Sequence, residues 1–226
     1  MGAKDEIANS AANLGEIARV EGDIAGARKT QEQALAIRHE LGDDDAATED
    51  RLALGLIAID EGNPAQAMTD ARSAVQEYHS DKRVDREASA HALAAQAPLA
   101  QGQPGEAQQA IDAAEHLSAK SGFVATRLSL AITRARVDAA LGISTSAMKN
   151  LEAARRSAGI AALVAIEFEA RFSWAEVALR SGEASSARSA LKTLQEDAQA
   201  KGFGLVAHKA APLAASDVGL QPGNFD

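Results

Sequence analysis

Chemistry in this chain would have to come from five histidines, one acidic run or a few hydroxyl clusters. His39 and His79 stand 40 residues apart. On adjacent helices, whose axes lie about 8–10 Å apart, two imidazoles could share a metal ion. The third equivalent position is Ala119, so the pair lacks the further ligand that a closed site needs, and a structural or solvated role is expected. The other histidines are His91, His116 and His208. The stretch GDDDAATED (42–50) has the acidity of a calcium loop, but not its glycine or its distal bidentate glutamate at the required spacing; a solvated loop is expected. QGQPG (101–105) carries two glycines, yet no Lys-Ser/Thr follows and no strand precedes, so it does not cradle phosphate. Ser144, Thr145, Ser146, Ser185 and Ser186 have no His–Asp set near them and are read as helix-opening caps. Arg134 and Asp138 form an i,i+4 helix pair. With no nucleophile or acid–base set, no enzyme, cofactor or metal is expected.

The elements that would position any site are helical. The chain has 226 residues, 46% of them apolar but only 3% aromatic, so its core is built from Ala and Leu. A formal net charge of −9 argues against tracking nucleic-acid phosphates and against an anionic membrane surface. There is no cysteine, hence no disulfide and no thiolate site. The longest apolar stretch, GIAALVAIEF (159–168), is far short of the roughly 18 residues that span a bilayer. The N-terminus lacks a signal core and reads as a cut within a helical region of a longer protein.

One corner recurs. EGDIAGA (21–27), EGNPAQA (61–67), QGQPGEA (101–107), LGISTSA (141–147) and SGEASSA (181–187) place Gly22, Gly62, Gly102, Gly142 and Gly182 at a step of 40. Ala27, Ala67, Ala107, Ala147 and Ala187 keep the step, as do Ala34, Ala74, Ala114 and Ala154, with Leu194 in the fifth place. Gly42, Gly122 and Gly202 form a second set at steps of 80. Each glycine can take the left-handed conformation that ends a helix. Asp23 and Asn63 are candidate N-caps, and Ser144 is expected to replace Ile143 in that role.

The resulting expectation is an all-α fold: one solenoid domain over 1–216 of five antiparallel hairpins near 5–41, 46–79, 84–120, 123–157 and 161–201. A capping helix near 203–215 and a loose tail at 217–226 complete it, and Pro98 is expected to kink its helix. Small residues two turns apart on the second helices let neighbouring helices approach closely.

These features resemble the tetratricopeptide repeat. LGEIARVEGDIAGARKTQEQALAI (14–37) carries the family's Leu-Gly pair at Leu14–Gly15, its turn glycine at Gly22 and its alanines at Ala27 and Ala34; Leu54–Gly55, Gly62, Ala67 and Ala74 repeat the match. The family unit is about 34 residues, so each unit here adds about six, or roughly 9 Å of helix. Later units lose the Leu-Gly pair, and the first-helix aromatics are mostly missing, with Trp174 near one such place. The chain also resembles long-helix arrays of this family in bacterial serine/threonine kinases and winged-helix regulators.

The resemblance implies a right-handed superhelix whose first helices line a concave protein-binding face. Mapped by the period, that face comprises Asn9, Asn13 and Glu16; Glu49, Leu52 and Leu56; Ser89, Leu93 and Gln96; Ser129, Thr133 and Arg136; and Glu169, Phe172, Ser173, Glu176 and Arg180. Several of these leucines could equally be packed between units. The ninth-place residues Glu16, Leu56, Gln96, Arg136 and Glu176 do not reproduce the family's carboxylate clamp, and Glu16, Glu49, Glu169 and Glu176 would favour basic segments. The expected role is a non-catalytic interaction module of a larger bacterial signalling protein, cytoplasmic, or periplasmic within a membrane-spanning kinase. The partner would be a protein or peptide; nucleic acid and membrane are not expected, and a homo-oligomer is compatible. The alternative is a regulatory domain holding a small ligand or signal peptide inside the superhelix.

The alanine columns carry a test. Ala107→Leu should overpack its helix contact and lower stability by about 1–3 kcal/mol in denaturant melts; an unchanged midpoint would misplace the column.

Overall fold

The computed structural model describes residues 2–119 and 123–216. The tail at 217–226 and Gly122 lie outside the described residues. Eleven helices are present among the described residues: α1 (Gly2–Glu21), α2 (Ile24–Leu41), α3 (Asp44–Asp60), α4 (Pro64–Ser80), α5 (Val84–Ala100), α6 (Pro104–Ser118), α7 (Val124–Ala140), α8 (Ser144–Ile160), α9 (Val164–Arg180), α10 (Ala184–Ala200) and α11 (Gly204–Ala215). No strand occurs among the described residues. None of their helices is long and apolar enough to cross a membrane.

Contacts group the chain into two compact units, residues 1–118 and 119–226, although no shift of composition marks that boundary. In the first unit each helix packs on the next from α1 to α6, and the odd helices also touch: α1 on α3, and α3 on α5. The second unit repeats the scheme, with sequential packing from α7 to α11 and contacts of α9 with both α7 and α11. Among the described residues, no two even helices make a comparable contact.

The corners explain this regularity. From α2 to α11 every helix starts 20 residues after the previous one. Two places before each start, wherever the structure describes that residue, φ is positive: 93° at Gly22, 76° at Gly62, 87° at Gly182. The following N–H reaches back five residues, as Asp23 N to Ala18 O (2.8 Å), Asn63 N to Ala58 O (2.7 Å) and Glu183 N to Ala178 O (2.9 Å). This is the six-to-one bond of a Schellman ending. The glycine columns leave two of these places unmarked. Lys82 (φ 57°) and Ala162 (φ 56°) take the same conformation without glycine's freedom and close the same bonds, Arg83 N to Tyr78 O and Leu163 N to Ala158 O.

Asp23 and Asn63 cap as expected, accepting from Gly26 N (2.9 Å) and Gln66 N (3.3 Å); Asp43 does the same for Ala46 N at 3.1 Å. Ser144 does not cap. Ile143 occupies the cap place with no side-chain bond, and Ser144 is the first helical residue. The reason is geometric: the bond from Ile143 N to Asp138 O fixes the cap one residue after Gly142 whatever side chain stands there. Likewise α9 begins at Val164 rather than 161, because Ala162 completes a corner first. Pro98 does not interrupt its helix. It lies in the last turn of α5, which continues to Ala100, and its carbonyl accepts from Gln101 N and Gln103 N.

The alanine columns are fully buried at Ala27, Ala67, Ala107, Ala147 and Ala187. Gly55 marks another close approach: a Cβ there would stand 2.5 Å from Leu93 Cδ2. In the second unit Phe203, ahead of α11, sets its ring edge-on to Phe168 with centroids 5.1 Å apart, so α11 covers the cluster of Phe168, Leu191 and Leu194.

Left-handed backbone costs a residue other than glycine about 1–2 kcal/mol, partly offset by the extra unfolded-state entropy of glycine. Ala162→Gly and Lys82→Gly should therefore each raise stability, by about 0.5–1 kcal/mol, in chemical denaturation. A loss at both sites would contradict the strain assigned to these corners.

Candidate functional site

In the first unit the odd helices border a cleft of about 390 Å³. α3 supplies its apolar floor, Leu52, Ala53, Leu56 and Ile57, with Glu49 and Asp50 one turn earlier. Glu49, Leu52 and Leu56 follow i, i+3, i+7 and so share one helix face. α1 contributes Asn13, Glu16 and Arg19, α5 contributes Arg86 and Ser89, and Gln31 of α2 and Tyr78 of α4 complete the lining. Six residues expected on the concave face thus meet here: Asn13, Glu16, Glu49, Leu52, Leu56 and Ser89.

The remaining expected residues lie elsewhere. Asn9 is an acceptor for Arg38 Nη2. Leu93 is buried at 3% exposure, directed at Gly55, and Gln96 is half-buried. In the second unit Thr133 and Ser173 are buried rather than open to a partner; the Thr133 hydroxyl donates to Ser129 O within its own helix. These three positions, Leu93, Thr133 and Ser173, share one 40-residue column, and on α5 that column points at the preceding odd helix. Phe172 packs on the Phe168 cluster, Ser129, Arg136, Glu169 and Glu176 are half-buried, and Arg180 is exposed.

Charge in the cleft is arranged in two layers. Arg19 Nε donates to Asp60 Oδ2 at 2.7 Å. Arg86 pairs with Asp45 and, through Nη2, with Glu49 Oε1 at 2.5 Å. Asp45, in the first turn of α3, also takes Arg83 Nη2 at 2.8 Å, so the acidic run serves the helix terminus and its neighbours. Deeper lies Asp50, 4% exposed. Gln31 Nε2 donates to its Oδ1 at 2.7 Å, whereas Oδ2 accepts no hydrogen bond and stands 4.0 Å from Arg38 Nε. Arg38 is itself buried and engaged by Asp5 and Asn9. Burial pushes the Asp50 carboxyl up to about 6 against the opposing pull of Arg38. Tyr78 is 1% exposed with an unpartnered hydroxyl. Burial raises its pKa too, with Glu49 adding to the effect, so it remains a neutral donor and acceptor.

Gln31, Asp50, Tyr78 and Arg86 are functional candidates that the family's concave-face places do not include. One signal for the network was present: Gln31 and Arg38 each fall four residues after a column alanine, Ala27 and Ala34, and so lie on the buried face of α2. A polar residue on such a face needs a partner: Asp50 provides it for Gln31, and Asp5 and Asn9 provide it for Arg38. Of the two histidines 40 residues apart, for which a structural or solvated role is expected, His79 has its Nδ1 2.9 Å from Glu87 Oε1.

The raised Asp50 fixes a pH dependence. Its folded pKa lies above the ordinary 3.8, so the folded state holds the proton more tightly than the unfolded chain. The stability linked to that proton is complete below about pH 4 and is lost by about pH 6, amounting to about 2–3 kcal/mol. Asp50→Asn removes the titration. The stability of the variant relative to the parent should therefore rise across pH 4 to 6 and level off above; a difference independent of pH would refute the assignment.

No family model matches this chain, and no curated protein is significantly similar to it.

Proposed function

We propose that the chain is a non-catalytic protein-interaction module, a tetratricopeptide-like solenoid of five 40-residue hairpins in a right-handed superhelix, acting within a larger bacterial signalling protein. On this reading it works in the cytoplasm and takes a peptide segment of its partner on the odd-helix face. One observation carries the reading. Within each unit the odd helices touch one another while, among the described residues, the even ones do not, as first helices lining a shared face would, and in the first unit a cleft with an apolar floor and a polar rim opens among them. Extended concave faces of stacked repeats suit peptide and protein ligands.

A second reading, a regulatory pocket for a small ligand, draws support from the same cleft. Its volume falls within the usual small-molecule range of about 300–1,000 Å³, and buried polar groups converge there. A rise in melting temperature with a metabolite panel, abolished by Leu56→Asp, would favour it.

Panning a random peptide display library against the chain separates the readings. Enriched peptides should bind the parent and lose at least about tenfold in affinity on Leu56→Asp, a loss of about 1.4 kcal/mol. Peptides that bind both proteins equally would place recognition away from this face.

A further inference from the structure

We propose that the cleft among α1, α3 and α5 receives a lysine or arginine side chain of the partner peptide, its cationic head against Asp50 and Glu16 and its methylene stem along Leu52 and Leu56. This rests on the peptide-binding reading above and adds the chemistry of what enters.

The charges of the cleft do not balance from within. Its lining holds the carboxylates of Glu16, Glu49 and Asp50 and the guanidiniums of Arg19 and Arg86. Each guanidinium is engaged by an acid outside the lining, Arg19 by Asp60 and Arg86 by Asp45, which Arg83 shares. Three carboxylates against two guanidiniums leave the lining itself with a surplus of negative charge. Glu49 shares Arg86, but Glu16 forms no ion pair among the described residues, and Asp50 Oδ2 accepts no hydrogen bond. A buried acceptor without a donor is expensive to keep, and Tyr78 adds a second unpartnered polar group in the same wall.

The alternatives fit less well. An anionic ligand would meet Glu16 and Asp50 with both nearby arginines already engaged. A purely apolar ligand would leave Asp50 Oδ2 and the Tyr78 hydroxyl, already shielded from water, without a partner and would cover the unpaired Glu16. An ammonium brings three donors and a guanidinium five, with no acceptor of their own, and each rides on an aliphatic stem that suits an apolar floor. The groups facing Asp50 set its response to pH: Gln31 and Arg38 from α2, Asp43 at the cap of α3, and Glu49 on its own helix. With its carboxyl near 6, a cation should bind more tightly as pH rises through that value and Asp50 becomes charged.

The test uses a peptide enriched by panning, a synthetic copy with its lysine or arginine replaced by norleucine, and fluorescence anisotropy on the parent, Asp50→Asn and Glu16→Gln. The replacement should weaken binding at least about tenfold on the parent but less than about threefold on Asp50→Asn. Glu16→Gln alters only an exposed side chain, so it guards against misfolding, and it should reduce the same discrimination. Enriched peptides that lose binding on Leu56→Asp yet carry no basic residue, or tolerate norleucine equally on all three proteins, would overturn the cation assignment while leaving the cleft as the binding face. Peptides indifferent to Leu56→Asp would remove both. Displacement of the peptide by putrescine in an Asp50-dependent manner would reassign the cleft to a free diamine and overturn the peptide source.

Discussion

A residue with positive φ stands two places before each helix after α1, wherever the structure describes it, and the next N–H reaches back to a carbonyl five residues earlier. Everything else depends on this corner. Because it recurs every 20 residues, seven of the helices have the same length of 17 residues, about 25 Å of rise. Equal lengths keep equivalent faces in register, and register is what allows one alanine per second helix to meet its neighbour at the same height in hairpin after hairpin. The corner needs only backbone atoms. It tolerates Ile143 as a cap, Pro98 in the preceding turn, and even Lys82 and Ala162 in the left-handed place.

A core of alanine leaves little volume with which to fill irregular spaces. In the second unit Phe168, Phe203, Leu191 and Leu194 fill them. In the first unit polar groups take that place between α1, α2 and α3: Gln31, Arg38 and Asp50 are all buried, and Arg38 reaches Asp5 and Asn9. Such a network holds its parts firmly because removing one partner strands the others, even where the intact set adds little net stability. The same polar packing leaves a cleft beside it, so the site is a consequence of how this unit fills its interior.

Much of the architecture could be read from the sequence because corners have chemistry that composition reveals. Gly22 and Gly62, followed by Asp23 and Asn63, gave helix ends within a residue or two. Lys82 and Ala162 could not be read, since nothing in a lysine or alanine announces positive φ; only the 20-residue spacing of the helices does. The site was half legible. Asn13, Glu16, Glu49, Leu52, Leu56 and Ser89 meet because a repeat places equivalent residues side by side. Leu93 does not join them, because α5 has two inner contacts, one with its hairpin partner α6 and one with the preceding odd helix α3. A residue mapped to the concave side can therefore point at a neighbouring helix, as Leu93 does at Gly55. Asp50 and Tyr78 were invisible for the opposite reason: they come from places that the repeat assigns to packing.

Those two residues also bear on what the cleft would favour as a ligand. An ionised carboxylate that accepts one hydrogen bond where it could take several, buried beside an arginine already engaged elsewhere, lowers stability at neutral pH. An asparagine there would retain the bond from Gln31 without the charge. Packing alone thus gives no reason for an aspartate, and a structure stabilised by its corners can accommodate the penalty. Perturbed carboxyls are found both in structural ion-pair networks and at working sites. Here the unpartnered oxygen belongs to a residue that lines a cleft, above a floor of leucines and beside a second unsatisfied group. The energy forgone in the free protein is what a cationic ligand would recover on binding, so the feature that weakens the fold is also the one that would give the face its selectivity.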